Sequence, residues 1–74
     1  DGVYAYSRTL EGQSVLVILN NANETREISL SALQELAAAP EWRNVFTAER
    51  IDGDASPRLE SQSFLILESV LNSL

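Results

Sequence analysis

The sequence has no cysteine, histidine, lysine or methionine among its 74 residues. Without cysteine there is no disulfide framework, no thiolate nucleophile and no Cys-ligated zinc. Without histidine the commonest general base and the imidazole metal ligand are missing. Without lysine, Schiff-base chemistry and a P-loop lysine are excluded. A translated product starts with Met, so a chain opening on Asp1 is expected to be a processed or excised piece of something longer. Positive charge is also scarce. Five Arg stand against eleven Asp and Glu, for a net charge of −6. Such a surface repels phosphate backbones and anionic lipid, so neither a nucleic acid nor a membrane is an expected partner. The longest apolar run, Val15–Leu19, is far short of the ~20 residues that span a bilayer. No stretch reads as a signal peptide.

What remains is ordinary globular composition. The chain is 45% hydrophobic and 22% charged, which argues against disorder. At about half the usual domain length, residues 1–74 form a single small domain.

Val3–Leu10 is rich in β-formers and reads as a strand, Glu11-Gly12 as a tight turn, and Ser14–Asn20 as a second strand. The unbroken apolar run of this second strand predicts a central position, buried on both faces. Asn20–Glu24 is a turn cluster, and Thr25–Leu30 alternates as a third strand with Ile28 and Leu30 on one face. Ser31-Ala32-Leu33-Gln34 fits a capping box, and Leu33, Leu36 and Ala37 share a helical face that Pro40 ends. A short helical insert is therefore predicted near residues 31–39. Trp42–Thr47 and Ser63–Glu68 read as strands, Asp52-Gly53-Asp54 as a turn, Pro57–Glu60 as a short edge strand, and Ser69–Leu74 as a tail. The expected fold is all-β, a small antiparallel β-sandwich with one helical insert.

Three segments carry a family resemblance. Val3-Tyr4-Ala5-Tyr6-Ser7-Arg8 followed by Val15–Asn21 resembles the opening of the C-terminal domain of α-amylase family glycoside hydrolases, in the cyclomaltodextrinase and neopullulanase branch. Asn44–Glu49 resembles that domain's threonine-containing segment, with Ala48 where glycine is usual, and Ser63–Glu68 resembles its closing strand. Leu30–Pro40 departs from the family as a longer, more helical link. The resemblance implies a non-catalytic β-sandwich that packs on and stabilises the (β/α)8 catalytic barrel of the same parent chain. It also implies a bacterial parent that hydrolyses α-glucosidic bonds in maltodextrins, cyclodextrins or pullulan. From the residues themselves, no cofactor and no metal is expected. The alternatives are a carbohydrate-binding module for α-glucans and a stand-alone interaction sandwich.

Glycosidase carboxylates face each other about 5–9.5 Å apart across the sugar. Asp52, Asp54, Glu24 and Glu27 sit instead on turns and an exposed strand, where solvated charge explains them, so no catalytic residue is assigned. An EF-hand is excluded, because Gly53 follows Asp52 directly and Ser63 stands where the twelfth-position Glu belongs. Tyr4, Tyr6, Trp42 and Phe46 are candidates for the barrel interface or for sugar stacking, with core packing as the plainer reading. Trp42, outside a clear apolar pattern, is the expected exposed ring. Arg8 is a candidate for pairing with a carboxylate of the barrel, or an ordinary surface arginine. Asn23-Glu24-Thr25 fits the N-glycosylation pattern, which arises readily by chance.

Overall fold

The computed structural model describes residues 2–70. The predicted hairpin is present as β1 (Val3–Leu10) and β2 (Gln13–Asn20). Its register runs unbroken from Leu10 opposite Gln13 to Val3 opposite Asn20. The turn residues Glu11 and Gly12 both have positive φ, 53° and 85°. That mirror-image turn matches the right-handed twist of the strands it joins.

Five further strands follow: β3 (Arg26–Glu27), β4 (Glu41–Asn44), β5 (Arg50–Asp52), β6 (Arg58–Leu59) and β7 (Ser63–Ser69). A five-stranded antiparallel sheet has the order β1-β2-β7-β4-β5, and β3 pairs with β6 as a separate ribbon. The ribbon extends irregularly, as Ile28 donates its N–H to Pro57 O (2.8 Å) and Leu30 to Ala55 O (3.1 Å).

The core lies between the two layers. Leu16 and Ile18 of β2, Trp42 of β4 and Leu67 of β7 meet Ile28, Leu30 and Leu59 from the ribbon side. Each such side chain contributes roughly 1.5–3 kcal/mol by leaving water. Asn20 is also buried, with every polar group engaged. Its Nδ2 donates to the carbonyls of Glu24, Leu59 and Glu60 at 3.0–3.1 Å, and its Oδ1 accepts from Ala22 N at 3.0 Å. One side chain thus ties the end of β2 to the loop before β3 and to β6.

The all-β sandwich stands, but several local expectations do not. The helical insert over residues 31–39 is a single 3-10 turn, Ser31–Leu33. Ser31 makes no capping bond. Leu30 occupies the N-cap and Ser29 Oγ accepts from Ala32 N at 3.3 Å. Leu30 is held in the core and hydrogen-bonded to Ala55, so the turn begins from a pinned residue. Pro40 then leads directly into β4. β3 is shorter than Thr25–Leu30, although Ile28 and Leu30 do share a buried face. β4 stops at Asn44 because its Oδ1 accepts from Phe46 N (2.8 Å) and Thr47 N (3.2 Å), closing a turn. β5 was not predicted. β2 is an inner strand, second of the five with β7 at the centre, and only one of its faces is closed, with Ile18 fully buried and Leu19 exposed. Of the predicted tail, Ser69 belongs to β7, Val70 donates to Glu41 O, and residues 71–74 lie outside the described residues.

Candidate functional site

Strand alternation sends one set of side chains of the five-stranded sheet into the core and the other set to the opposite face. The registers place that second set in rows. Tyr4, Leu19 and Phe64 lie side by side across β1, β2 and β7. Tyr6, Val17 and Ile66 form the next row. Arg8, Val15, Glu68 and Arg43 form a third, which reaches β4. Four members of the first two rows are exposed, Tyr4 at 59%, Tyr6 at 58%, Phe64 at 53% and Leu19 at 40%, with Val17 and Ile66 half-buried between them. Phe46, in the turn after β4, is 68% exposed and meets Phe64 edge to face, with centroids 5.8 Å apart and rings at 78°. Val45 donates its N–H to Ile66 O at 3.1 Å, which holds this turn against β7. The result is a continuous apolar and aromatic face, bounded on one side by charge.

An open cleft of about 340 Å³ cuts one end of this face, lined by Tyr4, Leu19, Asn20, Asn21, Gln62, Ser63 and Phe64. Its amides are largely committed to the fold. Gln62 Nε2 donates to Asn21 O (3.0 Å) and Ala22 O (3.2 Å), and Ser63 Oγ donates to Glu60 O (2.6 Å). No carboxylate lines the cleft, so the paired acids of glycoside hydrolysis are not found in it.

Of the residues singled out in the sequence, Tyr4, Tyr6, Arg8 and Phe46 come together on or beside this face. Trp42 does not. It is 1% exposed, packed inward from β4 beneath the ribbon, and the expectation of an exposed ring there is corrected. β4 alternates, sending Trp42 and Asn44 to the core side and Arg43 outward, and in four residues that parity is hard to read. Arg43 pairs with Glu68, Arg50 with Glu41 (3.2 Å) and Arg26 with Glu24 (3.2 Å). Arg8 is exposed and has no acidic partner among the described residues. Asp52 ends β5 and Asp54 lies in the turn after it, both exposed, and a Cβ at Gly53 would run into the Ala39 carbonyl oxygen, so only glycine fits there. Among the described residues no group of three or more acidic side chains could hold a metal, and no helix is long and apolar enough to cross a membrane.

Leu19, Val17, Phe64 and Ile66 complete the face, yet nothing in the sequence set them apart from core. The available signal was register: once Tyr4 and Tyr6 share a face, a two-residue hairpin turn assigns Leu19 and Val17 to the same one.

No match was found among curated proteins. Residues 1–68 match the family described as the cyclo-malto-dextrinase C-terminal domain. That match spans both the hairpin carrying Tyr4 and Tyr6 and the β7 strand carrying Phe64, and the chain therefore belongs to the family of C-terminal domains of cyclomaltodextrinase-like enzymes.

Proposed function

We propose that this domain packs the outer face of its five-stranded sheet on the catalytic (β/α)8 barrel of its parent glycosidase and stabilises that barrel. The parent is read as hydrolysing α-glucosidic bonds in maltodextrins, cyclodextrins or pullulan, with its catalytic carboxylates in the barrel. The observation that carries the reading is the row structure Tyr4–Leu19–Phe64 and Tyr6–Val17–Ile66, whose Tyr4, Leu19, Phe64 and Tyr6 are exposed while the opposite face of the same strands is closed. Contiguous apolar surface of this kind marks an interface, and aromatic anchors supply most of the energy of one. Arg8 sits at the charged border with no acidic partner among the described residues, where a barrel carboxylate would pair with its planar fork. The domain itself is read as non-catalytic, since it lacks His, Cys and Lys and its cleft holds no carboxylate.

The test uses the parent enzyme. Tyr6→Asp and Phe64→Asp together should lower the unfolding temperature of the barrel and speed proteolytic release of the domain. Unchanged unfolding and proteolysis would overturn the reading.

The cleft favours a second reading, an α-glucan stacked on Tyr4 and Phe64 with Asn21 and Gln62 at its rim. Both readings use Tyr4 and Phe64, so they compete for one surface. Titrating the 74-residue chain with maltoheptaose separates them: saturable amide shifts at Asn21, Gln62 and Phe64 favour the sugar, and their absence at millimolar concentration removes it.

A further inference from the structure

The two edges of the five-stranded sheet are unlike. β5 has three residues, and its two ends, Arg50 and Asp52, are charged, the usual protection of an edge against further pairing. β1 has eight residues, no proline, no lysine and no break in its register with β2. Its free side can be assigned. Asn21 donates its N–H to Gly2 O at 2.6 Å, which identifies Gly2–Asn21 as a hydrogen-bonded pair of the ladder. Such pairs alternate along an antiparallel ladder, so Tyr4, Tyr6, Arg8 and Leu10 bond to β2, while Val3, Ala5, Ser7 and Thr9 turn their N–H and C=O outward. Among the described residues no other backbone group takes these up. Ser7 Oγ donates to Leu36 O at 2.9 Å, a side-chain bond that leaves the Ser7 main chain unpaired.

We propose that this edge pairs antiparallel with β1 of a second copy of the chain, forming a continuous ten-stranded sheet about a two-fold axis at Tyr6. The register follows from the outward residues. Only one antiparallel alignment pairs all four of them within the strand: Val3 with Thr9 and Ala5 with Ser7, each reciprocated. A shift of two residues either way carries Thr9 or Val3 past the end of the opposing strand. The same alignment sets Tyr6 directly opposite Tyr6 of the second copy, in the close, non-hydrogen-bonded kind of pair where side chains touch most. It also sets Arg8 opposite Tyr4 of the second copy, twice. There a guanidinium lies within cation–π reach of a ring, which gives a partner to a cation that has no acidic partner among the described residues. The two-fold axis is perpendicular to the sheet, so both outer faces stay on one side; the edge contact shares Tyr4, Tyr6 and Arg8 with the surface assigned to the barrel and leaves Leu19, Phe64 and Phe46 outside it. Edge pairing alone buries less than about 1,200 Å², which places the dimer in the weak, reversible class.

The 74-residue chain is the test object. Sedimentation equilibrium should give the 8.2 kDa monomer when dilute and twice that mass near about 1 mM. Amide exchange at Ala5 and Ser7 should slow about tenfold over the same range, and a mixture of differently labelled chains should show Tyr6–Tyr6 contacts between copies. Two variants probe the edge. Tyr6→Lys places like charges at the axis, and Thr9→Pro removes an outward N–H and keeps the main-chain bonds to β2, losing only the Thr9 Oγ1–Ser14 Oγ contact of 2.8 Å. Each, checked for a native amide spectrum, should reduce association at least tenfold. A monomer at the highest concentration would overturn the proposal, as would concentration-dependent shifts centred on Phe46 and Phe64, or a dimer unaffected by both variants. Measurements on the unsubstituted chain decide the matter alone should the variants fail to fold.

Discussion

Ile18 and Leu19 are consecutive aliphatic residues on one strand, and the structure treats them oppositely. Ile18 is fully buried and Leu19 is 40% exposed. The same division runs through β7, where Leu67 is buried and Phe64 open, and through β4, where Trp42 is buried and Arg43 exposed. The difference is not in hydrophobicity. The inner face has a lid: the β3–β6 ribbon and the segment through Leu30 and Leu33 close over it. The outer face has none among the described residues. Apolar side chains on one face hold this domain together, and those on the other are available to hold it to something else.

The comparison breaks most sharply at Trp42. Trp42→Ala should cost about 3–5 kcal/mol, which for so small a domain means loss of cooperative folding in urea. Phe64→Ala, on the open face, should cost under about 0.5 kcal/mol in the isolated chain. Equal losses would mean that the two faces are not distinct. Next is Asn20→Ala, which strands the carbonyls of Glu24, Leu59 and Glu60 and the Ala22 N–H. A loss of roughly 2–3 kcal/mol is expected, read as a shift in denaturation midpoint. A smaller change of opposite sign is expected at Ala48, which holds φ at 65°. Ala48→Gly should raise stability by about 1 kcal/mol, since the left-handed region penalises a Cβ by roughly that amount. A neutral or negative result would show that the turn after β4 relaxes freely. The smallest effect sharpens the comparison from the open side. Tyr6→Ser with Phe64→Ser should leave thermal unfolding of the isolated chain nearly unchanged while sharply reducing its binding of an apolar fluorescent dye. Retained dye binding would place the exposed apolar surface elsewhere.

Several features were legible in residues alone because their causes are local. The β1–β2 hairpin follows from β-forming runs on either side of Glu11-Gly12, and the turn takes the positive φ values that pair allows. The final strand is equally direct. The helical insert failed because Leu33, Leu36 and Ala37 have helical spacing, but the chain there is anchored by Leu30 in the core. A segment of two turns has too little hydrogen bonding of its own to resist that. β5 was invisible because Arg50-Ile51-Asp52 carries a single apolar residue, and it becomes a strand only by pairing with β4. Of the candidate site, Tyr4, Tyr6, Arg8 and Phe46 were legible, Leu19, Val17, Phe64 and Ile66 were not, and Trp42 was misplaced. An apolar residue in a strand reads the same whether its face is covered or open.

By itself the sequence determined the class of the fold, the hairpin, the family resemblance and the exclusion of Cys, His and Lys chemistry. Each of these depends on which residues are present and on near neighbours. The tertiary structure alone decided which face of the sheet is closed and which is open, that Trp42 belongs to the core, and that β1 ends the sheet unprotected while β5 is short and charged. Those outcomes depend on strand order and on where a two-stranded ribbon comes to rest, and these are set by contacts between residues far apart in the chain.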